Sequence, residues 1–283
     1  MNRFKQLGQK QPCKPWLGMA FFVFTAATWA QTPTLESLLD CKEAHLVVES
    51  RLDGKMDNHQ LVKYIQRVVD LCKKQLGEDH STTLLAMHKL AISHTYLGQH
   101  ATALALHEQT VARRKAKLGE DHPDTLSSMN NLANSYGFLG QHAKALALRE
   151  QTLALMKAKL GDDHPDTLSS MNKLANSHSD LGQHAKALAL REQTLALRKV
   201  KLGEDHPDTL SSMANLAVSY GDVGQHAKAL ALKEQTLALM KVKLGEHHPN
   251  TLTSMNNLAI SYRDTGQHAK ALALREQTLA LMK

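Results

Sequence analysis

Aromatic residues make up only 4 % of this 283-residue chain, and proline and glycine number 7 and 15. A β-sandwich or barrel leans on aromatic and β-branched strands joined by frequent turns, so it is a poor fit. Ala, Leu, Lys, Glu and Gln dominate instead, and all of them favour helix. No nucleophile elbow, Walker loop, HExxH, CxxC or dinucleotide glycine fingerprint is present, which argues against an enzyme. With 42 % hydrophobic and 22 % charged residues the chain nevertheless has the make-up of a folded protein.

Acidic residues are missing from the first 30 positions, where Arg3, Lys5, Lys10 and Lys14 supply four of the seven net positive charges. Over the rest of the chain the charges alternate in sign. A nucleic-acid binder gathers Lys and Arg on one face to displace counterions, so a nucleic-acid partner is not expected.

Long apolar runs are scarce too. The uncharged stretch Leu17 to Ala30 follows a basic start and precedes Gln31-Thr32-Pro33, the pattern of a secretory signal peptide. It is shorter than the ~20 residues that span a bilayer as a helix. Residues 1–30 therefore read as an export signal, cleaved after Ala30 with Thr28 and Ala30 as the small flanking residues. The other reading is an uncleaved membrane anchor extended by Trp16 and Trp29. Cys13 lies before the apolar run, not where a lipoprotein cysteine sits. Export in a bacterium, to the periplasm or beyond, is the expectation.

The remainder is one unit repeated. LGEDH at 76, LGEDH at 118, LGDDH at 160, LGEDH at 202 and LGEHH at 244 recur with a period of 42 residues. Within a unit, Pro123 and Asp124 start a helix, because proline at the first helical position wastes no N–H and the carboxylate complements the helix's positive end. Leu126, Met129, Leu132, Ala133 and Tyr136 mark its apolar side. Gly140-Gln141-His142 breaks the pattern, and a second helix with Ala145, Leu146, Leu148, Leu153 and Leu155 ends at Gly161. Neither helix can bury its stripe alone, so neighbouring units must supply the rest.

LGxDHPxTL, NNLAxSY over Asn130–Tyr136, Gly140, Ala145 and the second-helix leucines together resemble the tetratricopeptide repeat of the 42-residue, kinesin-light-chain-like type. The resemblance covers five units, 76–117, 118–159, 160–201, 202–243 and 244–283. It implies an all-α, right-handed α-α superhelix of antiparallel helix pairs and a protein-binding scaffold. Departures from the pattern are Ser81 for proline, His178 for tyrosine, the His142 series after the turn glycine, and Arg149 and Thr152 on the second helix.

Residues 31–75 fill one further slot as a degenerate capping helix pair, with Cys41 and Cys72 on its two helices. Antiparallel helices turning near residue 56 bring the two cysteines to one level, where an oxidising compartment favours a disulfide. The alternative is two small buried thiols. At the far end the chain stops at Met282-Lys283 inside a second-helix pattern, so the last apolar face is exposed, meets another copy, or continues in a longer array.

Seventeen histidines raise the question of metal. The His122 and His142 series belong to opposite ends of the hairpin, and neighbouring units are separated by helix spacings of about 8–10 Å. Zinc needs ligands at ~2 Å, so cap and turn roles are expected, with no metal and no cofactor. The repeated Glu120-Asp121 pairs read as solvated helix starts.

By the resemblance, the first helix of each unit lines a concave groove. The near-copies differ there, along one side of that helix, while the buried leucines hardly change. The candidate peptide-binding residues in the second and third units are Asn130, Asn131, Asn134, Asn172, Lys173 and Asn176. Lys89, Asn215, Asn256, Asn257 and Arg263 complete the set. Carboxamides there would hydrogen-bond a peptide backbone, and Lys89, Lys173 and Arg263 would meet acidic groups. The competing account is free drift of exposed positions after duplication. The expected function is an exported, non-catalytic scaffold for a protein or extended peptide. A self-assembling module using the C-terminal end is the alternative, and a histidine-driven pH-responsive surface is another.

Overall fold

A computed structural model describes residues 57–282. The export signal, the first helix of the capping pair and Cys41 lie outside the described residues. Among those described there are eleven α-helices and no strands. Helix α1 (Asn58–Leu76) is followed by five hairpins: α2 (Ser81–Tyr96) with α3 (His100–Leu118), α4 (Pro123–Phe138) with α5 (His142–Leu160), and α6 (Pro165–Asp180) with α7 (His184–Leu202). Then come α8 (Pro207–Asp222) with α9 (His226–Leu244), and α10 (Pro249–Asp264) with α11 (His268–Leu281). Each helix packs on its neighbours in the chain, so the units stack in sequence order as a solenoid.

The His-Pro-Asp motif proves to be a capping device. His122 is the N-cap of α4, and its Nδ1 accepts the Asp124 amide N–H at 3.2 Å. His80, His164, His206 and His248 do the same for α2, α6, α8 and α10. One orphan amide at each helix start is thereby satisfied, with Pro123 supplying the favourable φ beside it. Ser81, where proline is absent, leaves the cap intact.

The turn inside each hairpin is closed by its glycine. Gly140 has φ 72°, and beyond it the Gln141 amide donates to the Tyr136 carbonyl at 2.8 Å, a Schellman closure that needs the left-handed region.

Between α4 and the flanking helices, Leu126, Met129, Leu132, Val111 and Met156 form one core cluster, with Leu104, Tyr136 and Leu148 packed around it. Leu210, Met213, Leu216, Leu195 and Met240 repeat it two units later. Leu126 and Met129 are wholly buried, each stabilising by about 1.5–3 kcal/mol. Each cluster draws on two units, because the first helix of one hairpin is sandwiched between its own partner and the second helix of the preceding hairpin.

Among the described residues no helix is long and apolar enough to cross a membrane, and no three metal-ligating side chains gather in one place. The acidic pairs at helix starts make surface ion pairs: Asp121 with Lys159 at 2.8 Å and Glu120 with Lys115 at 2.6 Å.

Candidate functional site

The second helices send cations into the seams between units. From α5, Arg149 donates to the Asn134 carboxamide oxygen of its own unit at 2.7 Å, and to the Lys173 carbonyl of the next unit at 2.9 Å. It also donates to the Ser177 hydroxyl. Arg191 repeats the arrangement with Asn176, the Asn215 carbonyl and Ser219. Both guanidinium groups are buried, and burial lowers their pKa from the usual value while Asp180 pulls that of Arg149 the other way. Their hydrogen-bond acceptors here are neutral oxygens.

A second cation site lies one helix stretch further along. Arg114 donates to the Asp124 carbonyl at 2.7 Å and the Ser128 hydroxyl at 2.8 Å. Arg198 does so to Asp208 and Ser212 at 2.7 and 2.9 Å. The other units have methionine at this position: Met156, Met240 and Met282.

These two positions make the seams unequal. The seam between α3 and α4 has His107 and Arg114, that between α5 and α6 has Arg149 and Met156, and that between α7 and α8 has Arg191 and Arg198. The seam between α9 and α10 has Lys233 and Met240, with an arginine at neither position. Lys233 Nζ donates to the Ser261 hydroxyl at 2.6 Å; burial lowers its pKa and Asp264 raises it. Val218 stands where Asn134 and Asn176 stand in the earlier units, so the carboxamide that holds the arginine is lost together with the arginine.

Where the guanidinium groups are missing, a pocket opens. It has a volume of about 360 Å³, between α8 and α10 with α9 as its floor. Val218, Ile260, Met240 and Ala214 give it apolar walls, and Asn215, Ser254, Asn257, Asn250 and Lys233 bring polar groups to it. Val218 is 50 % exposed and Ile260 41 %, so both offer apolar surface to the pocket.

The predicted groove residues stand in several different settings. Asn215 and Asn257 line this pocket. Asn134 and Asn176 have their carboxamide oxygens committed to the arginines. Asn130 is only 4 % exposed and thus withdrawn from the groove surface, whereas Asn256, its counterpart in the last unit, is exposed. Asn172 and Lys173 are half-buried, and burial, then Arg149, lowers the Lys173 pKa. Lys89 is half-buried on α2, and Arg263 is paired with Asp264 at 2.8 Å. Asn131 donates to His88 Nε2 at 3.2 Å, and the tautomer with a proton on Nδ1 also suits the 3.4 Å contact with Ser128.

Sequence reasoning missed Ala214, Val218, Lys233, Met240 and Ile260 as pocket residues. The signal was available: Ala214, Val218 and Lys233 are departures from the repeat that fall within a single unit. Only their convergence on one seam gives them meaning.

Cys72 is fully buried and disulfide-bonded.

The tetratricopeptide repeat family matches residues 55–116, 95–158, 124–199, 166–241 and 217–283. Among solved structures, a kinesin-light-chain-like protein of Podosopora anserina with nearly identical TPR-like repeats is 36 % identical, with a TM-score of 0.63, over 70 % of this chain and 93 % of that one. BtubC (BKLC) from P. vanneervenii has a TM-score of 0.62 at 19 % identity, over 88 % and 91 % of the two chains. A Rap protein complexed with Competence and Sporulation Factor shares the fold at 15 % identity with a TM-score of 0.57, over 87 % and 74 %. No curated protein matches the chain. Stacked hairpins, a 42-residue period and these matches agree: the chain belongs to the tetratricopeptide repeat family and is kinesin-light-chain-like.

Proposed function

We propose that the protein is an exported, non-catalytic scaffold that binds an extended peptide segment of another protein along the face formed by the first helices of its units. The fold is one typical of protein–protein interaction. The observation that carries the reading is the pocket between α8 and α10, where three departures from the repeat open a mixed polar and apolar cleft in an otherwise sealed seam. Concave sites with apolar walls and a few convergent polar groups are the usual form of binding sites.

A photo-reactive side chain at Asn215 should crosslink a partner from the native envelope fraction. One at Ala196, exposed on the second helix, should not. Equal yields from both faces would overturn the groove. Export is checked by mass spectrometry of the mature protein, whose N-terminus is expected at Gln31; a retained Met1 would favour the anchor.

One observation favours a second reading, self-association through α11. Leu279 is 60 % exposed, while its counterparts Leu195 and Leu237 are 8 % and 7 % exposed. Light scattering over a concentration series should then show growth in mass, which Leu279→Glu abolishes.

A further inference from the structure

The pocket between α8 and α10 occupies a place that two other seams fill with their own side chains. Arg114 and Arg198 each thread an aliphatic stem through the seam and end on a backbone carbonyl and a serine hydroxyl of the next first helix. In the last seam the corresponding acceptors are the Asn250 carbonyl and the Ser254 hydroxyl. Met240 replaces the arginine and cannot donate. Ser128 and Ser212 are buried, at 0 % and 1 % exposure, whereas Ser254 is only half-buried and lines the pocket. The acceptors are therefore in place, reachable from the groove, and without the donor that Arg114 and Arg198 supply in two other seams; the seam at Met156 lacks it as well, but there the corresponding Ser170 is buried at 1 % exposure.

We propose that this pocket takes an arginine side chain from the bound peptide, an inference that rests on the groove reading above. The guanidinium replaces the missing internal one, donating to the Asn250 carbonyl and the Ser254 hydroxyl, while the stem lies against Val218, Ile260 and Met240. A planar guanidinium offers five donors, enough for both acceptors and for the Asn250 side chain.

Two charges bear on the choice of ligand. Lys233 is seven residues from Met240 on α9, about 10 Å along a helix, roughly a screening length in physiological salt. Arg191 and Arg198 are separated by the same seven residues on α7, so a cation at each position is already part of this architecture. Lys233 is also held by Ser261 and attracted by Asp264, which lessens its call for a ligand carboxylate. The acid that accompanies the internal arginines, Asp124 or Asp208, is Asn250 here. The incoming arginine is thus bound by neutral oxygens and can leave, where a carboxylate would hold it more firmly.

The test is fluorescence polarisation with the mature protein and four short acetylated peptides, identical in a serine–alanine background except for a central arginine, citrulline, methionine or glutamate. The arginine peptide should bind about fivefold or more tighter than the other three, since charge-assisted hydrogen bonds are roughly twice as strong as neutral ones. Met240→Arg, which copies Arg198, should abolish that binding while the thermal unfolding midpoint stays level or rises. Ser254→Ala should weaken the arginine peptide and leave the methionine peptide unchanged. Asn250→Asp should tighten the arginine peptide by about threefold.

Equal binding of arginine and citrulline, a preference for glutamate, no binding by any of the four, or arginine binding that survives Met240→Arg would each overturn the inference. If the partner still crosslinks through Asn215 in that event, the groove stands and only its arginine chemistry falls.

Discussion

Arg149 Nη2 lies 2.7 Å from Asn134 Oδ1, so one carboxamide anchors the guanidinium that ties α5 to the next unit. The pairing recurs in Arg191 with Asn176 and is exchanged as a whole for Lys233 with Val218. In the fourth unit both members change together, which leaves no buried guanidinium without its acceptor, a state that costs about 1–3 kcal/mol; in the last unit Ile260 accompanies a retained Arg275, but that arginine is exposed. The asparagines read from sequence as candidate peptide-binding residues thus include two, Asn134 and Asn176, that hold the arginines tying one unit to the next.

Arg149→Met should destabilise the protein by about 2–4 kcal/mol in urea unfolding, since it strips donors from Asn134, Ser177 and the Lys173 carbonyl. Asn134→Val alone should cost about 1–2 kcal/mol through the stranded guanidinium. Arg149→Lys with Asn134→Val reproduces this pair of the fourth unit, so the double variant should lose less than Arg149→Lys and Asn134→Val measured singly and added, by about 1 kcal/mol. Strict additivity would show that the pair is not coupled.

The fold was largely legible because its code is local and repeated. Helix starts at the prolines, turn closure at Gly140 and the leucine and methionine stripes all follow from backbone sterics and helical spacing. The cap role of the histidines was expected too, but not its geometry, in which Nδ1 reaches the Asp124 amide with the extended backbone that the structure gives His122. The seam chemistry was not legible at all. Arg149 acts on residues 24 and 28 positions away, and no periodicity within one unit reveals a contact between two. The pocket is hidden for the same reason, as it needs Val218, Lys233, Met240 and Ile260 at once.

Acid should weaken the N-terminal seam. His88 and His107 meet edge to face at 5.8 Å, and burial lowers their pKa from 6.5 to about 3 and about 4, with Arg114 adding to the shift of His88. From pH 6.5 down to about 4 the unfolded chain takes up protons on these residues that the folded chain refuses. Stability therefore falls with pH in that window, by up to about 1.4 kcal/mol per unit for each histidine, and these two contribute no slope above it. Urea unfolding at pH 7.5, 6 and 5 should show the decline. His88→Asn with His107→Arg, which restores the residues of the next unit, should reduce the slope; an unchanged slope would assign it to other groups.

The disulfide at Cys72 should join it to Cys41. Mature protein unfolded without reductant should show no free thiol, and reduction should cost about 2–4 kcal/mol by freeing the unfolded chain. Two thiols titrating without reductant would return both cysteines to a purely packing role.

The fourth unit offers the clearest conflict between stability and binding. Ala214→Asn, Val218→Asn and Lys233→Arg together give α8 and α9 the residues that α4 and α5 carry at these positions, restoring a clamp with three acceptors in place of the single Ser261 contact. Each added charge-assisted bond contributes about 1 kcal/mol or more when its partner is already in place. The triple variant should therefore unfold at higher urea than the parent, and it should fill the cleft between α8 and α10. If that cleft is kept open for a partner, the more stable protein loses its crosslink through Asn215. A variant that is both stabilised and fully competent in crosslinking would show that the seam was loosened by drift, because improved packing would then have removed nothing the protein uses.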